Sequence, residues 1–122
     1  MYKILLADDE KDLRDFLSDA LSDRGFRVTT VSNGAEAVVA AVDETFDLYL
    51  LDMMMPGLDG IQTTKVLRKV TPRVPILGLT GQLGRGFMAQ ATAYGVTCIA
   101  KPVRLDALVA EINEQLGVLS VK

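Results

Sequence analysis

Between Asp47 and Val70 the chain reads DLYLLDMMMPGLDGIQTTKVLRKV. Asp47–Asp52 is a short apolar run with carboxylates only at its ends, the pattern of a buried strand. Pro56-Gly57 then marks a turn, and Ile61, Thr64, Leu67 and Val70 recur at helical spacing. Strand, turn and helix in succession are the unit of an alternating β-α protein. Asp52, with Leu51 before it and Met53, Met54 and Met55 after it, also raises a chemical question. A lone charge in apolar surroundings is costly unless something meets it.

The alternation extends in both directions. Upstream, Lys3–Ala7 (KILLA) is a continuous apolar run, followed by a helical stripe of Leu13, Phe16, Leu17, Ala20 and Leu21 that ends near Gly25. Arg27–Val31 (RVTTV) has the β-branched content of a strand. Ser32 or Asn33 is placed to cap a second helix with Ala35, Val38, Val39 and Val42 as its apolar stripe. Downstream, Pro75–Thr80 is a fourth strand and Gly84–Tyr94 a weaker fourth helix, with Phe87, Ala91 and Tyr94 on one side. Val96–Ala100 is a fifth strand, and a final helix carries Leu105, Leu108, Val109, Ile112 and Leu116. This alternation predicts an α/β fold, a parallel sheet with helices on both faces and its ligands beyond the carboxyl ends of the strands.

Composition narrows the field. At 122 residues, 49% apolar and 24% charged, the chain is expected to be one domain, residues 1–122, with a core that needs no disulfide. The formal charge of −3 argues against direct nucleic-acid or anionic-membrane binding. A single cysteine, Cys98, fits a reducing compartment, and no run approaches a membrane span or a secretory leader, so a cytoplasmic location is expected. With no histidine, Ser-His-Asp and Cys-His catalysis, histidine zinc sites and phosphohistidine on this chain are excluded.

The polar groups gather at one rim. Asp8, Asp9 and Glu10 follow the first strand, Asp52 ends the third, Thr80 ends the fourth, and Lys101 follows the fifth. Each has an ordinary reading: the acids as helix caps, Asp52 as a turn residue, Thr80 as a strand end, Lys101 as a loop charge. Their coincidence on one edge favours a site. Clustered carboxylates repel one another unless a cation relieves them, and oxygen ligands suit Mg²⁺. Asp52 could then attack phosphorus, with Thr80 and Lys101 meeting the phosphoryl oxygens.

These residues carry a resemblance that covers the whole chain. ADDE after the first strand, LLDMMMPGLDG around Asp52, Thr80 closing PILGLT, and AKP at Ala100–Pro102 resemble the receiver domain of two-component response regulators. The resemblance implies a five-stranded doubly wound sheet of order 2-1-3-4-5 flanked by five helices. It implies Asp52 as phosphoacceptor, Lys101 as phosphoryl-binding lysine and Thr80 as switch hydroxyl. Mg²⁺ would be held by Asp9, Asp52 and the Met54 backbone carbonyl, with Asp8 acting through water. The implied role is a phosphorelay switch that catalyses its own phosphorylation and dephosphorylation. Its partners would be a sensor histidine kinase or phosphotransfer protein and a downstream effector. The effector would be met through a face of helix four, strand five and helix five that includes Phe87, Tyr94, Val96, Val103 and Arg104. That face is also a candidate for phosphorylation-dependent homodimerisation.

The chain departs from the family at Cys98, where receiver domains commonly place an aromatic that moves with the switch hydroxyl. Tyr94 lies nearby, in phase for packing. A pseudo-receiver, keeping the fold without the chemistry, is therefore carried as the alternative. Met54 and Gln82 occupy positions that influence phosphoryl lifetime in the family, and the glycines of TGQLGRG predict a mobile loop over Gly81–Phe87. An aspartyl phosphatase would want a D-x-D motif after the first strand and a flavin protein a phosphate-cradling loop there; ADDE supplies neither.

Overall fold

The computed structural model describes residues 1–55, 60–81 and 92–117. Five strands, β1 (Lys3–Ala7), β2 (Arg27–Val31), β3 (Leu48–Asp52), β4 (Ile76–Thr80) and β5 (Thr97–Ala100), form one sheet in the order β2-β1-β3-β4-β5. All pairings are parallel. Four helices are described: α1 (Lys11–Asp23), α2 (Gly34–Asp43), α3 (Gly60–Val70) and α4 (Leu105–Gln115). The α4 helix is the fifth of the expected helices. The expected fourth, Gly84–Tyr94, lies outside the described residues except for its last positions. So do Pro56-Gly57, Gln82, Phe87 and the loop that follows Gly81.

The central strands are apolar because both their faces are covered. Leu5, Tyr49, Leu51 and Ile76 pack on one face with Ala37, Ala41 and Leu67 of α2 and α3. Ile4, Leu6, Leu48, Leu50, Leu77 and Leu79 pack on the other with Leu17, Leu21, Leu108 and Ile112 of α1 and α4. β1, β3 and β4 are buried throughout apart from Lys3, whereas β2 and β5 are edge strands with exposed positions.

Local signals account for the helix ends. Asn33 caps α2 by accepting the Glu36 N–H at 2.8 Å, and Glu36 reaches back to the Ser32 N–H and hydroxyl, both at 2.8 Å. Gly25, at φ +91°, takes the chain out of α1 in a conformation that suits glycine.

Three helical stripes differ from expectation; in α3 it is Val70, 41% exposed, that leaves the buried face. In α2 the sheet-facing residues are Gly34, Ala37 and Ala41, while Ala35, Val39 and Val42 point outward, the valines 60% and 66% exposed. Small residues let this helix lie close to the sheet, and that approach decides its rotation. In α1, Leu17 and Leu21 are buried as the stripe implies, but Phe16 is 54% exposed. Among the described residues no helix is long and apolar enough to cross a membrane.

Candidate functional site

β1 and β3 are neighbours, so Ala7 pairs with Leu51, and Asp8, just after β1, emerges beside Asp52, the last residue of β3. Strand alternation then separates Asp8 from Asp9: Asp8 is fully buried, whereas Asp9 faces solvent. Asp8 and Asp52 make the same local turn. The Asp8 Oδ1 accepts the Glu10 N–H at 2.8 Å, and the Asp52 Oδ1 accepts the Met54 N–H at 3.0 Å. Each side chain thus uses one oxygen to hold its own loop and turns the other into the site.

Those second oxygens face the same cation. Lys101 Nζ lies 3.6 Å from Asp8 Oδ2 and 3.3 Å from Asp52 Oδ2. Lys101 arrives there because β5 lies beside β4: its N–H donates to the Thr80 carbonyl at 2.9 Å, and Thr80 itself is fully buried at the end of β4. The cleft, about 620 Å³, is lined by Asp9, Glu10, Asp52, Met54, Gly81 and Lys101.

The electrostatics follow from burial. Removal from water pushes the Asp52 carboxyl up from 3.8 to about 6, with the Asp8 charge adding to the effect. The Met54 N–H and Lys101 oppose this without overcoming it. Burial alone would lower Lys101, but the Asp52 and Asp8 carboxylates outweigh it and hold the ammonium above its usual value.

A cation fits this arrangement. Carboxylate oxygens of Asp8, Asp9 and Asp52 lie within 4.8 Å of one another. Among the described residues Asp8 Oδ2 is buried with no hydrogen-bond partner, since Lys101 stands too far away to donate well. An orphaned buried carboxylate oxygen beside two more carboxylates is a donor set for a hard divalent ion. The helix-cap reading of these acids fails, because Glu10 is the α1 N-cap residue and its side chain makes no capping bond.

The residue after Asp52 locks the site to the sheet. Met53 is buried and its N–H donates to the Leu79 carbonyl at 2.9 Å. A Cβ on Gly60 would come within 2.5 Å of Met53 Cα, so only glycine lets α3 begin this close to the strand end. A Cβ on Gly78 would stand 2.7 Å from Met53 Cγ and 3.2 Å from Cys98 Sγ. The Met53 side chain therefore covers the floor formed by Gly78 and Cys98, which pair across β4 and β5.

The structure brings Asp8, Asp9, Asp52 and Lys101 together and places Thr80 at the same rim. Met54 is half-exposed at the cleft. Cys98 is half-buried, and burial pushes its thiol up, as a packing role requires. Tyr94 is tied down: its carbonyl accepts from Arg68 at 3.1 Å and its ring lies 5.3 Å from Lys65 Nζ. Of the expected output-face residues, Val96 is buried and so is not part of that surface, while Arg104 is exposed. Sequence reasoning missed Arg14, which donates to the Asp8 carbonyl at 2.7 Å and steadies the loop that carries both acids. Its acceptor is a backbone atom, so no residue pattern announces it.

Comparison with known proteins agrees with this geometry. The family model for the response regulator receiver domain matches residues 4–113. The chain is 36% identical to the response regulator receiver protein CpdR of Brucella abortus, over 95% of this chain and 98% of that protein. It is 40% identical to the transcriptional regulatory protein CpxR homolog of Haemophilus influenzae, over 93% of this chain but 49% of the relative. The chain thus spans about half the length or less of the transcriptional regulators it matches. In structure it resembles the receiver domain of sensor histidine kinase PA1611 from Pseudomonas aeruginosa, which has a magnesium ion coordinated in the active site cleft. That likeness has a TM-score of 0.87 and 30% identity, over 95% of this chain and 98% of the other. Vibrio cholerae chemotaxis protein CheY4 is similar at TM-score 0.88 and 30% identity, over 93% and 98% of the two chains.

Proposed function

Because the chain belongs to the response regulator receiver domain family, we propose that Asp52 accepts a phosphoryl group from the phosphohistidine of a sensor kinase or phosphotransfer protein. An Asp52 carboxylate oxygen attacks phosphorus, the phosphorus–nitrogen bond breaks, and the imidazole leaves with the electron pair. Lys101 binds the transferred group, a role supported by its ammonium facing Asp52 Oδ2 at 3.3 Å. The Thr80 hydroxyl donates to the phosphoryl group, and its backbone bond to Lys101 carries that contact into β5. Asp9, Asp52 and the Met54 carbonyl would hold Mg²⁺, with Asp8 acting through water. Bound there, the ion supplies charge neutralisation for the phosphoryl oxygens. Asp8 and Asp52 are kept in position by their own turns, so the reacting oxygen needs little reordering.

The observation that carries this reading is the pair of second oxygens, Asp8 Oδ2 and Asp52 Oδ2, turned toward one lysine. The domain works as a cytoplasmic receiver module that signals to an effector through the surface around Arg104. Nothing favours an inert pseudo-receiver, since the acids, hydroxyl and lysine are all in place. The test is incubation with a small phosphoryl donor and Mg²⁺, followed by mass spectrometry. One base-labile acyl phosphate on Asp52 is expected, absent in Asp52→Ala and in EDTA. Phosphorylation that survives Asp52→Ala would overturn the assignment.

A further inference from the structure

The β2 edge of the sheet, opposite β5, has three features that point to a ligand together. The first is an open row of backbone groups. The Arg27 N–H donates to the Tyr2 carbonyl at 2.9 Å, and the Val31 carbonyl accepts from the Asp8 N–H at 3.2 Å. Residues 27, 29 and 31 therefore turn their amides toward β1, and the alternation of a parallel strand turns those of Val28 and Thr30 away. Among the described residues no strand pairs with that outer edge. The second feature is a groove of about 550 Å³ beside it, with Val31, Ala35, Val39 and Ala40 as its apolar floor. Val39 is 60% exposed there, a consequence of the close approach that turns the small residues of α2 inward. The third feature is charge. The groove's ionisable residues are Glu36, Asp43 and Glu44; Lys3 pairs with Glu44 at 3.0 Å, and no lysine or arginine lines the groove to meet Glu36 and Asp43.

We propose that this edge docks an extended, basic segment of another protein, added to the sheet as a sixth strand beside β2. Val28 and Thr30 supply the backbone pairing, which is indifferent to sequence. Selectivity comes from the groove: lysine or arginine stems lie along Val39 and Ala40 while their heads reach Glu36 and Asp43. A second copy of this chain is disfavoured as the occupant, because two such grooves would bring their acids face to face.

The test uses the intact protein at saturating Mg²⁺, so that the acidic cleft is occupied, and an acetylated, amidated peptide of alternating lysine and valine. Expected are amide shifts and slowed hydrogen exchange at Val28 and Thr30. Val39→Lys should weaken the affinity by roughly tenfold, because it sets a like charge in the groove. The same peptide with glutamate for lysine should not bind. Mg²⁺ affinity should be equal in the wild type and Val39→Lys, which separates this surface from the phosphorylation site. Equal binding of the glutamate peptide, or shifts that spare Val28 and Thr30, would overturn the proposal. So would concentration-dependent self-association that Val39→Lys abolishes, because the groove would then belong to a second copy.

Discussion

Replacing Asp52 with asparagine should make the metal-free protein more stable. The folded Asp52 carboxyl titrates at about 6 rather than 3.8, chiefly because burial disfavours the charge. A folded value above the unfolded one means the native state holds the proton more tightly. This group's contribution is therefore most favourable below pH 4, declines as pH rises toward 6, and stays unfavourable beyond it. The full cost at neutral pH is about 3 kcal/mol, and relaxation around a site open to a cleft reduces it to about 2 kcal/mol. Asparagine keeps an oxygen for the Met54 N–H and carries no charge, so it recovers that amount. For a chain of this length the melting temperature should rise by roughly 8 °C at pH 8 in EDTA. Stability measured from pH 4 to 6 should fall less in Asp52→Asn than in the wild type. Adding Mg²⁺ should stabilise the wild type by mass action and leave the variant nearly unmoved, narrowing or reversing the order. Calorimetry in EDTA at pH 8 decides the matter: a variant equal to or less stable than the wild type would refute the reasoning.

Three other substitutions probe the frame. Gly60→Ala sets a methyl group 2.5 Å from Met53 Cα and should cost about 2 kcal/mol or more in urea unfolding. Arg68 donates to the carbonyls of Tyr94, Val74 and Gly95 at 3.1, 2.9 and 2.9 Å, so Arg68→Met should lose about 2–4 kcal/mol by the same assay. Lys101→Met removes the cation shared by Asp8 and Asp52 and should raise the Asp52 titration above about 6, as carboxyl NMR would report, while abolishing phosphorylation. The Cys98 thiol, pushed up by burial, should alkylate more slowly than free cysteine at pH 7.5 in a timed iodoacetamide reaction.

The strands were legible because β1, β3 and β4 are buried on both faces and so read as unbroken apolar runs. The rim was legible because strand ends are fixed by those runs, and Asp8, Asp52, Thr80 and Lys101 fall at them. The rotation of α2 was not legible. Hydrophobic periodicity favours valine over alanine, whereas close helix–sheet contact here favours Gly34, Ala37 and Ala41. Nor were the different burials of Asp8 and Asp9, which depend on the pleat at one position, or Arg14 and Arg68, whose acceptors are backbone carbonyls.

Met53 lends the site a mechanical property. It shares a peptide bond with Asp52, is wedged under the first residue of α3, and roofs Gly78 and Cys98 on the two neighbouring strands. The sulfur-bearing side chain thus works as a keystone, set where a helix and two strands meet. A displacement of the Asp52 backbone has no slack in which to dissipate, because glycine on two sides leaves Met53 nothing compressible to push against. Strain produced at the carboxylate would be shared among a helix and two strands within the width of one side chain, without a swinging ring at residue 98.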